Sequence, residues 1–234
     1  MIQVDAPGAC YSLTRVSDER NVADRPWRAS VGGMWDTIGR LQFDFLVSQG
    51  LRPDHRLLDV GCGCLRGGVH FIAYLADGHY YGMDCNQALL DAGRNHELPA
   101  AGLADRRVTL ICRGDFAFGT FGTLFDVALA QSVFTHLPWN SILRCLVEMQ
   151  AVLEPGGRFF ATWFEDADGS HKTTSMTHDP GCVTTHPDRD PYHYQFSVFE
   201  DLARRAGLTV ENLGSWNHPR AQRLMVFRHM DRPS

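Results

Sequence analysis

The chain has 234 residues, 44% apolar and 21% charged, with 22 basic and 27 acidic residues for a net charge of −5. That mixture excludes a disordered polymer, which carries fewer apolar residues and more net charge, and a surface that is basic throughout. The length suits one three-layer α/β domain with a full core.

Residues 1–30 mix Pro, Gly, Asp, Arg and Ser without a period, which predicts an N-terminal arm with little regular structure. From Gly33 to Gly50 the apolar residues Met34, Trp35, Ile38, Leu41, Phe45 and Leu46 recur at three and four, the spacing of an amphipathic helix. Strands and helices then alternate. Strands are predicted over Arg56–Val60, His79–Asp84, Val108–Cys112, Phe125–Ala130 and Arg158–Phe164. Helices are predicted over Arg66–Ala76, Gln87–His96 and Trp139–Leu153. A helix at Ser197–Ala206 and two strands, Leu208–Leu213 and Arg223–Arg228, close the chain. This alternation implies a parallel sheet covered on both faces, and the helix-free connection between the last two strands implies one antiparallel member.

Residues 165–195 interrupt the rhythm with a long polar stretch rich in Asp, His, Pro and Thr, read as a lid loop. The domain reading is an arm or lid over 1–32 and one domain over 33–234. No run of 18 apolar residues predicts a membrane span. Met1–Tyr11 has no basic region leading into an apolar one, and the seven cysteines form no C-x-x-C pair. The expectation is a cytoplasmic protein with reduced thiols.

The first strand runs into a glycine turn, Asp59-Val60-Gly61-Cys62-Gly63-Cys64-Leu65-Arg66-Gly67-Gly68, at the start of a helix. Glycines let the backbone turn tightly and let a ligand approach bare amides. Asp84 closes the next strand, where a carboxylate can accept both hydroxyls of a ribose. A dehydrogenase would place glycine where Arg66 stands, or would carry Tyr-x-x-x-Lys. Lys172 is the chain's single lysine, and Asp168 stands four residues before it.

These motifs resemble the cofactor site of class I S-adenosylmethionine (SAM) dependent methyltransferases. The segments Gly114-Asp115-Phe116, Phe125–Leu137 and Leu153–Phe159 resemble later pieces of that family. The resemblance implies a doubly wound Rossmann-like sheet of seven strands in the order 3-2-1-4-5-7-6, the last antiparallel. It also implies SAM as cofactor and S-adenosylhomocysteine as product. Gly61 and Gly63 would then approach the methionyl part, Asp84 the ribose, Cys85, Asp115 and Phe116 the adenine, with Gln131 nearby and Asp59, Cys62 and Arg66 also in the cofactor-binding set. The chemistry expected is methyl transfer to an oxygen or nitrogen of a small molecule. The alternatives are methylation of a protein side chain and a non-catalytic SAM-binding subunit. No nucleic-acid partner is expected, and the assembly is read as a monomer or homodimer.

A proton acceptor is sought among His136, which follows the fourth strand, and Glu165, His178 and His193 of the lid, because carboxylates and imidazoles take protons near neutral pH. His136 and the lid histidines have structural readings beside the catalytic one. Trp27, Trp35, Tyr192 and Tyr194 are candidate substrate walls, although Trp35 also lies on the apolar period of its helix. His171, His178, His186 and His193 lack the short spacing of zinc pairs, and Cys62, Cys64, Cys85 and Cys112 suit small apolar positions, so no metal is expected.

Overall fold

Period-two alternation divides the strands between two cores in the computed structural model, which describes residues 25–230. On one face Leu58, Val60, Ala128, Ala130, Phe159, Ala161 and Phe227 pack with Ile142, Leu146, Phe199 and Leu202 of two helices. On the other, Leu57, Val127, Leu129, Phe160 and Val226 pack with Leu46, Phe71, Ile72 and Leu90. A strand covered on both faces is buried at every position, as β1 (Leu57–Val60) is, its one polar member being Asp59.

The other strands of the main sheet are β2 (Tyr80–Asp84), β3 (Val108–Cys112), β4 (Phe125–Ala130), β5 (Leu153–Glu165), β9 (Leu208–Ser215) and β10 (Arg223–His229). Their order is β3-β2-β1-β4-β5-β10-β9, and β10 runs antiparallel to both β5 and β9. This is the expected seven-strand order. The long helices, Trp35–Ser48, Trp139–Gln150 and Phe196–Arg205, fall where the apolar spacing places them. The helix expected over Gln87–His96 continues from Gln87–Ala92 into a π-helical turn, Gly93–Glu97.

Residues 1–24 of the expected arm lie outside the described residues. Its last part is not irregular: Trp27–Ser30 forms a helical turn. That turn is tied down by Glu97, a buried carboxylate that accepts from Arg28 Nε at 2.9 Å, Arg28 Nη2 at 2.6 Å and Trp27 Nε1 at 2.7 Å.

The lid is more ordered than a loop. β6 (Met176–His178) and β7 (Val183–Thr185) form a hairpin. β8 (His193–Tyr194) pairs with Phe164 and Glu165 of β5. β5 outruns its neighbour β4, whose pairing stops at Ala130 with Ala161, and β8 takes the edge left bare beyond it. One cysteine expectation is corrected. Cys182 is disulfide-bonded, while Cys62, Cys64, Cys85, Cys112 and Cys145 are thiols.

Candidate functional site

A cleft of about 680 Å³ opens beyond the carboxyl ends of β1, β2 and β4, where the strand order reverses. Its floor is the turn after β1. Gly61 and Gly63 have φ of +69° and +54°, which only glycine adopts without strain. The chain is also crowded there. A Cβ on Gly61 would stand 2.5 Å from Val133 Cγ2, and one on Gly63 would stand 2.6 Å from Val31 Cγ1. The glycines therefore let two walls, Val133 and Val31, close on the turn.

Asp84 holds the turn from the side. Its Oδ2 accepts from the Gly63 amide at 2.8 Å and its Oδ1 from the Asn86 amide at 2.8 Å. Each carboxylate oxygen has a second lone pair, so the group retains capacity for two hydroxyl donors. Asp59 is buried deeper and accepts from the Tyr80 hydroxyl at 2.7 Å. Burial pushes its carboxyl up to about 7, and the nearby Asp84 adds to the effect, while the Tyr80 hydrogen bond works against it. Cys62, Cys85 and Phe116 also line the cleft.

Arg66, Gln131, Ser132 and Gln222 line the far end, and His218 stands behind Gln131 outside the cleft lining. Arg66 donates through Nη1 to the carbonyls of Val31 and Gly33 at 2.7 and 2.8 Å, and through Nη2 to Gln131 Oε1 at 2.8 Å. It thus joins the segment before the first long helix to the end of β4. Gln222 accepts from the Thr162 hydroxyl at 2.7 Å and donates to Ser132 Oγ at 2.7 Å. His218 lies 3.3 Å from Gln131 Nε2. Burial, reinforced by the positive charges of Arg66 and Arg220, pushes the His218 imidazole down to about 3, so it is neutral.

At the mouth, His136 ends the short helix Phe134–His136 and lines the cleft. Its Nδ1 stands 2.5 Å from Oδ1 of Asp190. The pair is set by backbone: the Tyr192 amide donates to the Thr135 carbonyl at 2.7 Å, laying the lid beside this helix. A carboxylate can only accept, so Nδ1 carries a proton, and in the neutral imidazole the lone pair would lie on Nε2.

Several expected site residues are held elsewhere. His193 and His178 do not line the cleft; they are buried around Thr185. His193 Nε2 donates to the His171 carbonyl at 3.0 Å, so its Nδ1 accepts the Thr185 hydroxyl at 2.7 Å. The Thr185 oxygen then accepts from His178 Nε2 at 2.8 Å. The His193 Nδ1 lone pair is taken by Thr185 and neither imidazole faces the cleft, which corrects the expectation of a base there. Burial, with the neighbouring His193 and His171, also lowers His178 to about 4.

Glu165 leaves the cleft too, accepting from Arg223 Nε at 2.7 Å. The expected aromatic walls are structural. Trp27 bonds Glu97 and stacks on His96, and Trp35 is buried beneath Arg28. Tyr194 donates to the Leu137 carbonyl at 2.7 Å and stacks on Tyr192. Asp115 does not line the cleft and pairs with Arg113, whose hydrogen bond holds its carboxyl well below the usual range. Sequence reasoning did not find Asp190, His218 or Gln222. Each meets its partner from 54 to 90 residues away, and no local pattern marks such a pairing.

Comparison with known proteins agrees with this geometry. The family described as a methyltransferase domain matches residues 58–159. Demethylmenaquinone methyltransferase of Symbiobacterium thermophilum is 30% identical over 135 residues, covering 54% of this chain and 48% of the relative. Ubiquinone biosynthesis O-methyltransferase of Hahella chejuensis is 30% identical over 150 residues, covering 63% and 60%. The chain thus spans about half to three-fifths of the length of these curated relatives. The structure of the CcbJ methyltransferase from Streptomyces caelestis superposes with a TM-score of 0.61 at 18% identity, covering 82% of this chain and 95% of that one. A SAM-dependent methyltransferase from Clostridium acetobutylicum superposes with a TM-score of 0.63 at 12% identity, covering 90% and 97%.

Proposed function

The chain belongs to the class I SAM-dependent methyltransferase superfamily, and on that premise we propose that it transfers the methyl group of SAM to an oxygen or nitrogen of a small molecule held in the cleft. The observation that carries this reading is the His136–Asp190 pair at the mouth of the glycine-turn cleft. Gly61, Gly63 and the amides around them would take the methionyl part, Asp84 the ribose, and Cys85 and Phe116 the adenine. When bound, the cofactor supplies a methyl group that its sulfonium already makes electrophilic.

The chain's own residues supply position and a proton sink. With SAM held by the glycine turn and Asp84, the chemistry supplied would be transfer of its methyl group to the acceptor's lone pair, with S-adenosylhomocysteine as the leaving product. His136 Nε2 takes the proton that the acceptor must lose. Asp190 holds the imidazole in the accepting tautomer and offsets the charge it gains. Val183 and Pro191 from the lid and Ala29–Gly32 from the other side border the same cleft. A cleft bordered on two sides in this way favours a small acceptor over a protein surface. Curated relatives are named as a demethylmenaquinone methyltransferase, a ubiquinone biosynthesis O-methyltransferase and sterol C-methyltransferases, all named for small-molecule acceptors. Among the described residues no helix is long and apolar enough to cross a membrane.

The test uses SAM labelled in the methyl group, offered with a small-molecule filtrate and, separately, with the protein fraction of the same extract. Label in the filtrate is the expected result. Label in the protein fraction would point to side-chain methylation. SAM binding without transfer to either would point to a sensor subunit.

A further inference from the structure

Outside the cleft, the first residues of the lid gather three ligand-type side chains. Asp166, Asp168 and His171 each present one carboxylate oxygen or imidazole nitrogen, and the three atoms lie within 4.8 Å of one another. We infer that this loop, Asp166-x-Asp168-x-x-His171, is a binding site for a divalent transition-metal cation that clips the base of the lid.

The second observation is the state of Asp166. It follows the last residue of β5, is 2% exposed, and is anchored by its amide to the Tyr194 carbonyl at 3.1 Å. Its Oδ2 accepts from the His171 amide at 3.2 Å. Its Oδ1 is buried and has no hydrogen-bond partner; the His171 imidazole stands 3.5 Å away. A buried carboxylate oxygen left so costs folding energy, and a cation beside it removes that cost.

The other two ligand side chains are held within the same turn, His171 Nδ1 standing 2.9 Å from Ser170 Oγ, a contact that a cation would replace. The Ser170 amide donates to Asp168 Oδ1 at 3.0 Å, fixing the exposed carboxylate in a turn. The His171 carbonyl is pinned by His193 Nε2 at 3.0 Å. Donors of one ion stand about 3–3.5 Å apart when the bonds are about 2.1 Å long. The present spacing therefore closes with side-chain movement of about an ångström.

Donor chemistry sets the class of ion. Two carboxylates and one imidazole suit manganese, zinc or cobalt, whereas calcium takes six to eight oxygens. None of the three residues lines the cleft. The ion's role is to hold residues 166–171 as one unit, against which His193 and β8 rest. The lid histidines' spacing concealed this site, because two of its three ligands are aspartates within a single loop.

Lys172, the only lysine, is exposed beside the cluster and gives the experiment. The full chain is titrated with Mn²⁺ and followed by the loss of the free-ion spin-resonance signal. It is also digested with an endoproteinase that cuts only after lysine. We expect one saturable Mn²⁺ per chain and cleavage at Lys172 slowed about tenfold or more by the ion. The exposed variant Asp168→Asn should lose about tenfold or more in Mn²⁺ affinity and should be cut at one rate with or without the ion. Saturable binding that Asp168→Asn and His171→Ala both leave unchanged would overturn the proposal, as would no saturable binding to the wild-type chain.

Discussion

Nδ1 of His136 stands 2.5 Å from Oδ1 of Asp190, two residues separated by 54 positions and joined at the mouth of the cleft. If Nε2 of this imidazole takes the acceptor's proton, His136→Gln should lower the rate of methyl transfer about 10²–10⁴-fold. Asp190→Asn should fall between that variant and wild type, since the imidazole remains but loses its tautomer lock. SAM affinity measured by calorimetry should stay unchanged in both. Full single-turnover activity in His136→Gln would move the base elsewhere or make it unnecessary.

Asp84 has two tasks, toward the cofactor and toward the turn. Asp84→Ala should weaken SAM binding by about 1.5–3 kcal/mol, the scale of hydrogen bonds to a charged group. It also removes the acceptor of the Gly63 and Asn86 amides. Asp84→Asn, which keeps an acceptor oxygen, should lose less. Calorimetry showing equal SAM affinity in wild type and Asp84→Ala would dissociate Asp84 from the cofactor.

Gly61 combines a φ of +69° with a Cβ path blocked by Val133 at 2.5 Å. Gly61→Ala should cost about 1–2 kcal/mol from the backbone alone, with the overlap added. The double variant Gly61→Ala, Val133→Ala should recover the part due to overlap and leave the backbone cost. Urea unfolding of the three proteins separates the two contributions.

Two buried groups should give stability opposite pH slopes. His218, lowered to about 3, is kept neutral by the fold, so the unfolded chain binds more protons below about 6.5. Its contribution is complete above that pH and is lost as the medium becomes acid, by at most about 1.4 kcal/mol per pH unit. Asp59, raised to about 7, binds its proton more tightly when folded, so stability falls as pH rises from about 4 to 7. Relative to wild type, His218→Gln should gain stability on acidification and Asp59→Asn on alkalisation. Unfolding at pH 4.5 and 7.5 with no such crossover would contradict both assignments.

His193 should behave as a structural residue. His193→Ala removes the acceptor of the Thr185 hydroxyl proton and the donor to the His171 carbonyl, so stability should fall by about 1–3 kcal/mol. The pH profile of methyl transfer should keep its shape. Loss of its acid limb would restore His193 as the base.

Periodicity and turn chemistry made much of this protein legible before folding. β3 and β4 lie on the predicted residues, and the three long helices follow their apolar spacing, because each signal is local: side chains alternate along a strand and recur every turn of a helix. The glycine turn and Asp84 were legible for the same reason, since a strand end and its following turn form within a few residues. Tertiary structure decided which polar side chains face the cleft. His136, Glu165, His178 and His193 are equivalent as residue types, yet a backbone hydrogen bond from Tyr192 to Thr135 sets His136 against Asp190, while Thr185 draws the lid histidines inward and Arg223 holds Glu165. Such choices depend on which partners long-range packing brings within about 3 Å, and the spacing of residues along a chain carries no record of that.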